Sequence, residues 1–349
     1  MTIKMRASPH EVQAHCAIVH PILFADRDCH SQRSSLPSQR EEPYSALASA
    51  ANTCSAQSNM LTRRRFLATA TVALALPRFT FAAPGRYTAL PTAIAAMEKK
   101  NGGRIGVSLL DTATGERAAW RADERFPMCS TFKFLLAAAV LHRVDTLKDD
   151  LRRQVDVPPK PLLGNSPLTA EHAGTSMTLG ALCSAILIRS DNTAANVLLE
   201  TIGGPGKITT YAQSLGDTVT RLDRTETALN ESLAGDPRDT TSPDAMVHNL
   251  QSLLLGDALK PDSRQQLLDW MQSSTTGLTR IRAKLPKGWR AADRTGSNGE
   301  HTTNNIAVLW PNGGRAPLIV AAYITQCPGS EDKRNAMLAE IGRLVAAAS

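Results

Sequence analysis

The sequence predicts an α/β fold of the α+β type, with an antiparallel sheet built from both ends of the chain and an all-helical part inserted in the middle. Apolar residues alternate over residues 104–111, which predicts a strand near the start of the folded region. Two strand-like runs at 305–310 and 317–325 flank a Pro-Asn-Gly-Gly turn, which predicts a hairpin near the end. A ligand site is expected where the sheet meets the helical part.

The helices are predicted from apolar spacing, caps and breakers. Pro127 is interpreted as the opening residue of the second helix, and Gly203-Gly204 as the end of another. Residues 158–167 form a proline-rich loop, whereas 221–243 combine few apolar residues with many turn formers and predict a long functional loop. The helices are expected at about 88–101, from 127 onward, and at 179–189, 192–202, 245–255, 263–273 and 332–347.

Length and composition describe an ordinary globular protein. The chain has 349 residues, enough for one large domain or two small ones, with 42% hydrophobic and 20% charged residues. Its net charge is +7, and residues 1–82, with nine Lys/Arg and five Asp/Glu, account for +4 of it. No basic stripe is interleaved with aromatic residues, so we expect no nucleic-acid partner.

The first 82 residues divide into two segments. Residues 1–59 are polar and irregular, and we interpret them as a mis-called upstream extension or a disordered segment. Residues 60–82 combine a run of three consecutive arginines, a short apolar run and a cleavage-like end at Ala82, the pattern of a twin-arginine-type signal peptide. The run is too short for a stable membrane anchor. We therefore predict initiation at Met60 and a periplasmic mature domain at 83–349.

The predicted mature domain keeps three cysteines, at positions 129, 183 and 327. An odd number leaves at least one thiol free, and none has metal-ligand spacing. We expect no metal and no cofactor.

A serine and a lysine three residues apart, Ser130 and Lys133, begin an apolar helical run. They share a helix face, and a buried lysine with a lowered pKa can take the proton that makes a serine nucleophilic. The helix N-terminus would favour a developing oxyanion. The alternative is a plain N-cap, which is how we interpret the same pattern at Ser330 and Lys333.

Two polar tripeptides can complete such a site. In Ser190-Asp191-Asn192 a second serine can relay a proton to an amide nitrogen, and Asn192 can bind a substrate amide; a helix N-cap is the alternative. Arg294-Thr295-Gly296 precedes a predicted strand, and its cation and hydroxyl can bind a carboxylate. A surface turn is the alternative there.

The long loop holds a carboxylate and an amide four residues apart, Glu226 and Asn230. Together they can bind one water and activate it. Arg224 and Asp239 can pair across the loop and hold its shape. The alternative is that all four are solvated loop residues.

These segments together resemble the class A serine β-lactamases, over roughly residues 88–347. The loop from Arg221 to Thr241 is the most specific part of the match. The resemblance implies a five-stranded antiparallel sheet flanked by helices plus an inserted all-helical subdomain, as in penicillin-binding transpeptidases. It also implies a hydrolase that opens the β-lactam ring of penicillins through a serine acyl-enzyme and confers β-lactam resistance.

The resemblance implies roles for individual residues. Ser130 would be acylated, Lys133 would be its proton partner, and Ser190 would pass a proton to the β-lactam nitrogen. Glu226, helped by Asn230, would activate the deacylating water; whether Lys133 or Glu226 starts acylation stays open. Backbone N–H groups of the nucleophile and of residue 297 would form the oxyanion hole. The substrate would be held by Asn192, Arg294, Thr295, Gly296, Ser297 and Arg280.

Several positions depart from the family pattern. Arg294 replaces the usual lysine, as in carbenicillin-hydrolysing members, and Asn165 stands where an aromatic residue often gates the site. Thr225 stands where tryptophan is common. Some family members also have a cysteine at the position of Cys129, but the position of its usual disulfide partner holds Asn298 here, so we predict no disulfide.

Two other functions share part of this chemistry. A penicillin-binding D,D-peptidase and a non-hydrolytic β-lactam receptor would both be acylated but would lack the deacylating carboxylate, so Glu226 with Asn230 argues against them. We expect a monomer whose partner is a small β-lactam.

Overall fold

The computed structural model describes residues 85–349. Within this range the chain forms nine strands and eight α-helices. The strands are β1 (Arg104–Asp111), β2 (Arg117–Trp120), β3 (Phe126–Pro127), β4 (Gln154–Asp156), β5 (Ser176–Thr178), β6 (Thr240–Thr241), β7 (Arg290–Ser297), β8 (Thr303–Trp310) and β9 (Leu318–Thr325). The helices are α1 (Leu90–Asn101), α2 (Phe132–Asp145), α3 (Leu179–Ile188), α4 (Asn192–Ile202), α5 (Gly206–Ser214), α6 (Pro243–Leu254), α7 (Pro261–Gln272) and α8 (Glu331–Ala347).

Five strands form one antiparallel sheet in the order β2-β1-β9-β8-β7. The first two and last three strands in sequence therefore meet, which confirms the predicted sheet built from both ends of the chain. Helices α1 and α8 pack on one face, and the helical part between β2 and β7 packs on the other. Both faces are buried, so β9 is a continuous apolar run rather than an alternating one.

Helix α2 lies at the centre of the helical part. Every residue from Phe132 to Leu141 is buried, including Lys133, because α3, α4, α5 and α7 pack around it. Leucine and alanine dominate this segment and favour a helix, while their apolar side chains fill the interior. A cation buried in such a segment must find its partners within the protein.

Two predicted caps are confirmed. The Asp191 side chain accepts a hydrogen bond from the Ala194 N–H at the start of α4. Ser330 accepts one from the Lys333 N–H at the start of α8, so the second Ser-x-x-Lys copy is a plain cap.

Two local predictions are wrong. Pro127 lies in β3, opposite Thr240 of β6, and a 3-10 turn at Cys129–Thr131 separates it from α2. The Arg-Thr-Gly tripeptide lies inside β7 rather than before a strand. The polar residues of β7 interrupt the apolar alternation that would have predicted the strand. Helix α5 and strand β2 were not predicted, because their apolar patterns are weak.

No helix in residues 85–349 is both long enough and apolar enough to cross a membrane. The proposed initiator Met60, the signal peptide at 60–82 and the segment 1–59 lie outside the described residues and stay predictions.

Candidate active site

The Ser-x-x-Lys pair lies where the helical part meets the edge strand β7. Ser130 sits in the 3-10 turn before α2, and Lys133 is the second residue of α2. Gly296 makes this meeting possible, because a Cβ atom there would lie 2.6 Å from the Met128 carbonyl oxygen and 3.1 Å from the Ser130 nitrogen. The strand can therefore approach the serine only if residue 296 has no side chain.

Glu226 reaches this pair from the long loop. Its Oε1 atom accepts a hydrogen bond from Ser130 Oγ at 3.3 Å and forms an ion pair with Lys133 Nζ at 2.9 Å. The side chains of Lys133 and Glu226 are both completely buried. Among the described residues, Ser130 Oγ makes no hydrogen bond with Lys133 itself, so the carboxylate oxygen joins the two groups.

Lys133 is surrounded by acceptors. Nζ donates to Asn192 Oδ1 at 2.7 Å, to the Ser190 carbonyl oxygen at 3.0 Å and to Ser190 Oγ at 3.3 Å. Desolvation by burial lowers the pKa of Lys133 to about 8, while the negative charge of Glu226 acts in the opposite direction. The lysine can therefore exchange a proton near neutral pH.

The Ser-Asp-Asn tripeptide combines a site role with a structural one. Ser190 has φ 59°, in the left-handed region, and its hydroxyl lies between Lys133 and Arg294. Asp191 is fully buried; besides capping α4, it accepts hydrogen bonds from the backbone N–H groups of Leu168 and Thr169. The cap and the site thus occur together.

Arg294 is completely buried beside Ser190. Its Nη2 atom donates to Ser190 Oγ at 2.5 Å, and Nη1 donates to Thr276 Oγ1 at 3.3 Å. Thr295 also donates to Thr276, at 2.6 Å. Desolvation lowers the pKa of Arg294 to about 10, so the group stays protonated at neutral pH. The charged guanidinium therefore contacts the hydroxyl groups of Ser190 and Thr276.

The loop is held from within and from α4. As predicted, Arg224 and Asp239 pair across it, with 2.6 Å between Nε and Oδ2. Asn230 Nδ2 donates to Glu226 Oε2 at 2.6 Å. Asn196, which sequence reasoning missed, accepts from the Glu226 N–H and donates to its carbonyl oxygen, both at 2.8 Å. Its spacing of four from Asn192 on one helix was the available signal.

Arg280 has partners different from the expected substrate carboxylate. Its buried guanidinium donates to the carbonyl oxygens of Gly296 and Asn304, and it pairs with Glu331 at 2.9 Å. Nε donates to Asn335. These contacts connect Arg280 to the backbone of β7 and β8 and to the first turns of α8. The spacing of motifs could not reveal this.

A cavity of about 690 Å³ lies between the loop and the end of β7, and its lining includes Asn230 from the loop and Ser297 from the strand. Ser130 and Glu226 do not line it, but Asn230 joins it to Glu226 through the hydrogen bond to Oε2. The cavity has the volume for a small ligand.

Comparison with known proteins identifies the family. A model of the beta-lactamase enzyme family matches residues 89–348. Beta-lactamase L2 of Stenotrophomonas maltophilia is 48% identical over 297 residues, covering 82% of this chain and 98% of the relative. Beta-lactamase CTX-M-25 of Escherichia coli is 47% identical, covering 72% of this chain and 86% of the relative.

Solved structures agree. An ancestral class A β-lactamase superposes with a TM-score of 0.73 at 55% identity, covering 74% of this chain and all of the other. A β-lactamase from Xanthomonas campestris gives 0.74 at 45% identity, covering 75% and 98%. The chain belongs to the class A β-lactamases. As a class A β-lactamase it is a hydrolase of β-lactams, and the predicted family and five-stranded fold are confirmed.

In this β-lactamase the structure describes the three cysteines of the predicted mature domain and Asn165, all of which were singled out from the sequence. Cys129 is a buried free thiol whose Sγ lies 3.6 Å from Ser232 Oγ. Cys183 and Cys327 are also buried and free. Asn165 donates its side-chain amide to the Ser190 carbonyl oxygen.

Proposed function

We propose that this β-lactamase hydrolyses penicillin-type antibiotics through an acyl-enzyme on Ser130. The observation that carries the proposal is the position of Glu226 Oε1, which contacts both Ser130 Oγ and Lys133 Nζ. A serine hydroxyl needs a base within hydrogen-bond reach, and this carboxylate meets that requirement.

In the proposed acylation, Ser130 Oγ attacks the β-lactam carbonyl carbon and its proton passes to Glu226, with Lys133 stabilising the charge. The carbon–nitrogen bond then breaks, and the nitrogen takes a proton from Ser190. Lys133 Nζ contacts both Ser190 Oγ and Glu226 Oε1, so it can return a proton to Ser190 and take the one held by Glu226, which leaves Glu226 ionised again. Arg294 stabilises the Ser190 oxygen. Glu226 is favoured over Lys133 as first base, because the serine hydrogen bond points to it.

In the proposed deacylation, a water bound by Glu226 and Asn230 attacks the ester carbon, and Glu226 takes its proton. The bond from that carbon to Ser130 Oγ then breaks, and Glu226 returns the proton to Ser130 Oγ. The Oδ1 atom of Asn230 is buried and has no hydrogen-bond partner within residues 85–349, so it can accept from that water. Asn192 is proposed to bind the substrate amide. Thr295 and Ser297 are proposed to bind its carboxylate, Gly296 gives the backbone access, and the charge of Arg294 supports them.

Arg280 is proposed to hold β7, and its role in binding the substrate carboxylate stays a prediction. The edge position of β7 leaves one row of backbone groups free for substrate, including the N–H of Ser297 proposed for the oxyanion hole. A periplasmic location and a monomeric state remain predictions from the sequence.

The test is turnover of a penicillin by the full chain beside Glu226→Ala, with Ser130→Ala as control. We expect fast hydrolysis by the wild type, slower acylation of Glu226→Ala with an adduct that then persists in mass spectrometry, and neither hydrolysis nor adduct with Ser130→Ala. A Glu226→Ala adduct that is released as fast as the wild-type adduct would contradict the proposed deacylation role. A wild type that is acylated but releases no product would favour the penicillin-binding or receptor function.

A further inference from the structure

A loop residue outside the motifs contacts the Ser-Asp-Asn segment directly. Asn165 lies in the exposed stretch between β4 and β5, and its Nδ2 atom donates to the Ser190 carbonyl oxygen at 2.9 Å. Its own carbonyl oxygen accepts from the Asn192 N–H at 3.0 Å. Asn192 in turn donates to the Gly164 carbonyl oxygen at 2.8 Å. Three hydrogen bonds therefore tie this loop to Ser190 and Asn192.

The carbonyl oxygen of Ser190 is shared by two donors. Lys133 Nζ lies 3.0 Å from it and Asn165 Nδ2 lies 2.9 Å from it. A carbonyl oxygen has two lone pairs, so both are used and the peptide group is fixed in direction. Ser190 needs this fixation, since its φ of 59° is a costly conformation for a residue other than glycine.

Asparagine suits position 165 for two independent reasons. The backbone there has φ 55°, a left-handed conformation that asparagine tolerates better than most residues. Its amide also supplies the N–H donor. Glycine would keep the backbone but lose the donor, and aspartate would keep the shape but place an anionic oxygen against the Ser190 carbonyl.

We propose that Asn165 is a positioning residue for acylation, which holds the Ser190 peptide so that the Ser190 hydroxyl stays between Lys133 and Arg294. The inference rests on the proposed acyl-enzyme function. Asn165 makes no contact with Glu226 or Asn230, so the loss of its amide should slow acylation and spare deacylation.

The test compares three variants of the full chain with benzylpenicillin in pre-steady-state kinetics and time-resolved mass spectrometry of the acyl adduct. Asn165→Gly should lower the acylation rate constant about three- to tenfold, the effect of one lost hydrogen bond, and leave the deacylation rate constant within about twofold. Asn165→Asp should lower it further. Asn165→His should recover most of the rate, because Nδ1–H occupies the position of the amide donor.

Leu147→Gly is the matched control for backbone effects, because Leu147 also has positive φ but is 89% exposed and remote from the motifs. It should change neither rate constant. The inference is overturned if Asn165→Gly matches wild type, if it slows both steps equally, or if the histidine variant is as slow as glycine. A wild type that forms no adduct overturns the proposed function and this inference with it.

Discussion

Lys133 and Glu226 form an ion pair that is wholly removed from solvent, with 2.9 Å between Nζ and Oε1. Burial of either charge alone would be strongly unfavourable, and each compensates the other. Burial lowers the pKa of Lys133 and the Glu226 carboxylate raises it, so the protonation of the lysine depends on the partner. Proton transfer and side-chain pairing are therefore linked in this site.

Substituting Glu226→Gln should lower the pKa of Lys133 below its value of about 8, because the desolvation remains while the attraction of the carboxylate is lost. Between the two pKa values the lysine is then charged in the wild type and neutral in the variant. An NMR titration of the lysine signal, assigned with Lys133→Arg, measures this. An unchanged or raised pKa would contradict the coupling.

Substituting Asn196→Ala should slow deacylation more than acylation. The variant loses both hydrogen bonds that fix the backbone of Glu226, each worth about 0.5–1.5 kcal/mol. The deacylation rate constant should fall by about tenfold or more, seen as accumulation of the Ser130 adduct. Asn196→Asp keeps only the acceptor, so its deacylation rate constant should lie between those of the wild type and Asn196→Ala. An unchanged deacylation rate constant would contradict the support of Glu226 by Asn196.

Arg294→Ala should lower kcat/KM for a penicillin by about a hundredfold, because Ser190 loses a charged hydrogen bond. Arg294→Lys should retain most activity, since an ammonium also donates to the Ser190 hydroxyl. Measuring kcat/KM for a penicillin as the free acid and as its methyl ester separates carboxylate binding from proton relay. If Arg294→Ala lowers kcat/KM for the acid no more than for the ester, the charge serves only Ser190.

Gly296→Ala should destabilise the protein by about 1–3 kcal/mol and reduce acylation, because its Cβ atom would collide with the Met128 carbonyl beside Ser130. Gly206→Ala is the control, since its Cβ meets nothing within 4 Å. Thermal unfolding and adduct formation measure the two effects. Normal acylation by a destabilised Gly296→Ala protein would show that the strand can move without harm.

Cys129 should resist thiol reagents in the native protein although it precedes the reactive serine. It is completely buried, and desolvation raises the pKa of its thiol to about 12. Iodoacetamide at pH 8 followed by peptide mass spectrometry should find Cys129 unmodified before unfolding and modified after it. Rapid native labelling would mean that the 3-10 turn opens.

The chemistry and the fold class could be predicted from local sequence features. The Ser-x-x-Lys spacing, the caps at Asp191 and Ser330, and the hairpin before β9 depend on neighbours a few residues away. Because short-range geometry decides such features, they can be predicted directly from the sequence. The polar strand β7 was missed, because its register is decided by pairing with β8 and not by its own pattern.

The sequence by itself therefore determined which groups are present and in what order. Tertiary packing alone decided that Glu226 meets Ser130 across 96 positions of the chain, that Arg280 donates to the Gly296 carbonyl oxygen of β7, and that Asn165 holds the Ser190 carbonyl. The physical reason is that hydrogen bonds act over about 3 Å, and only the packing of distant segments brings their atoms within that range.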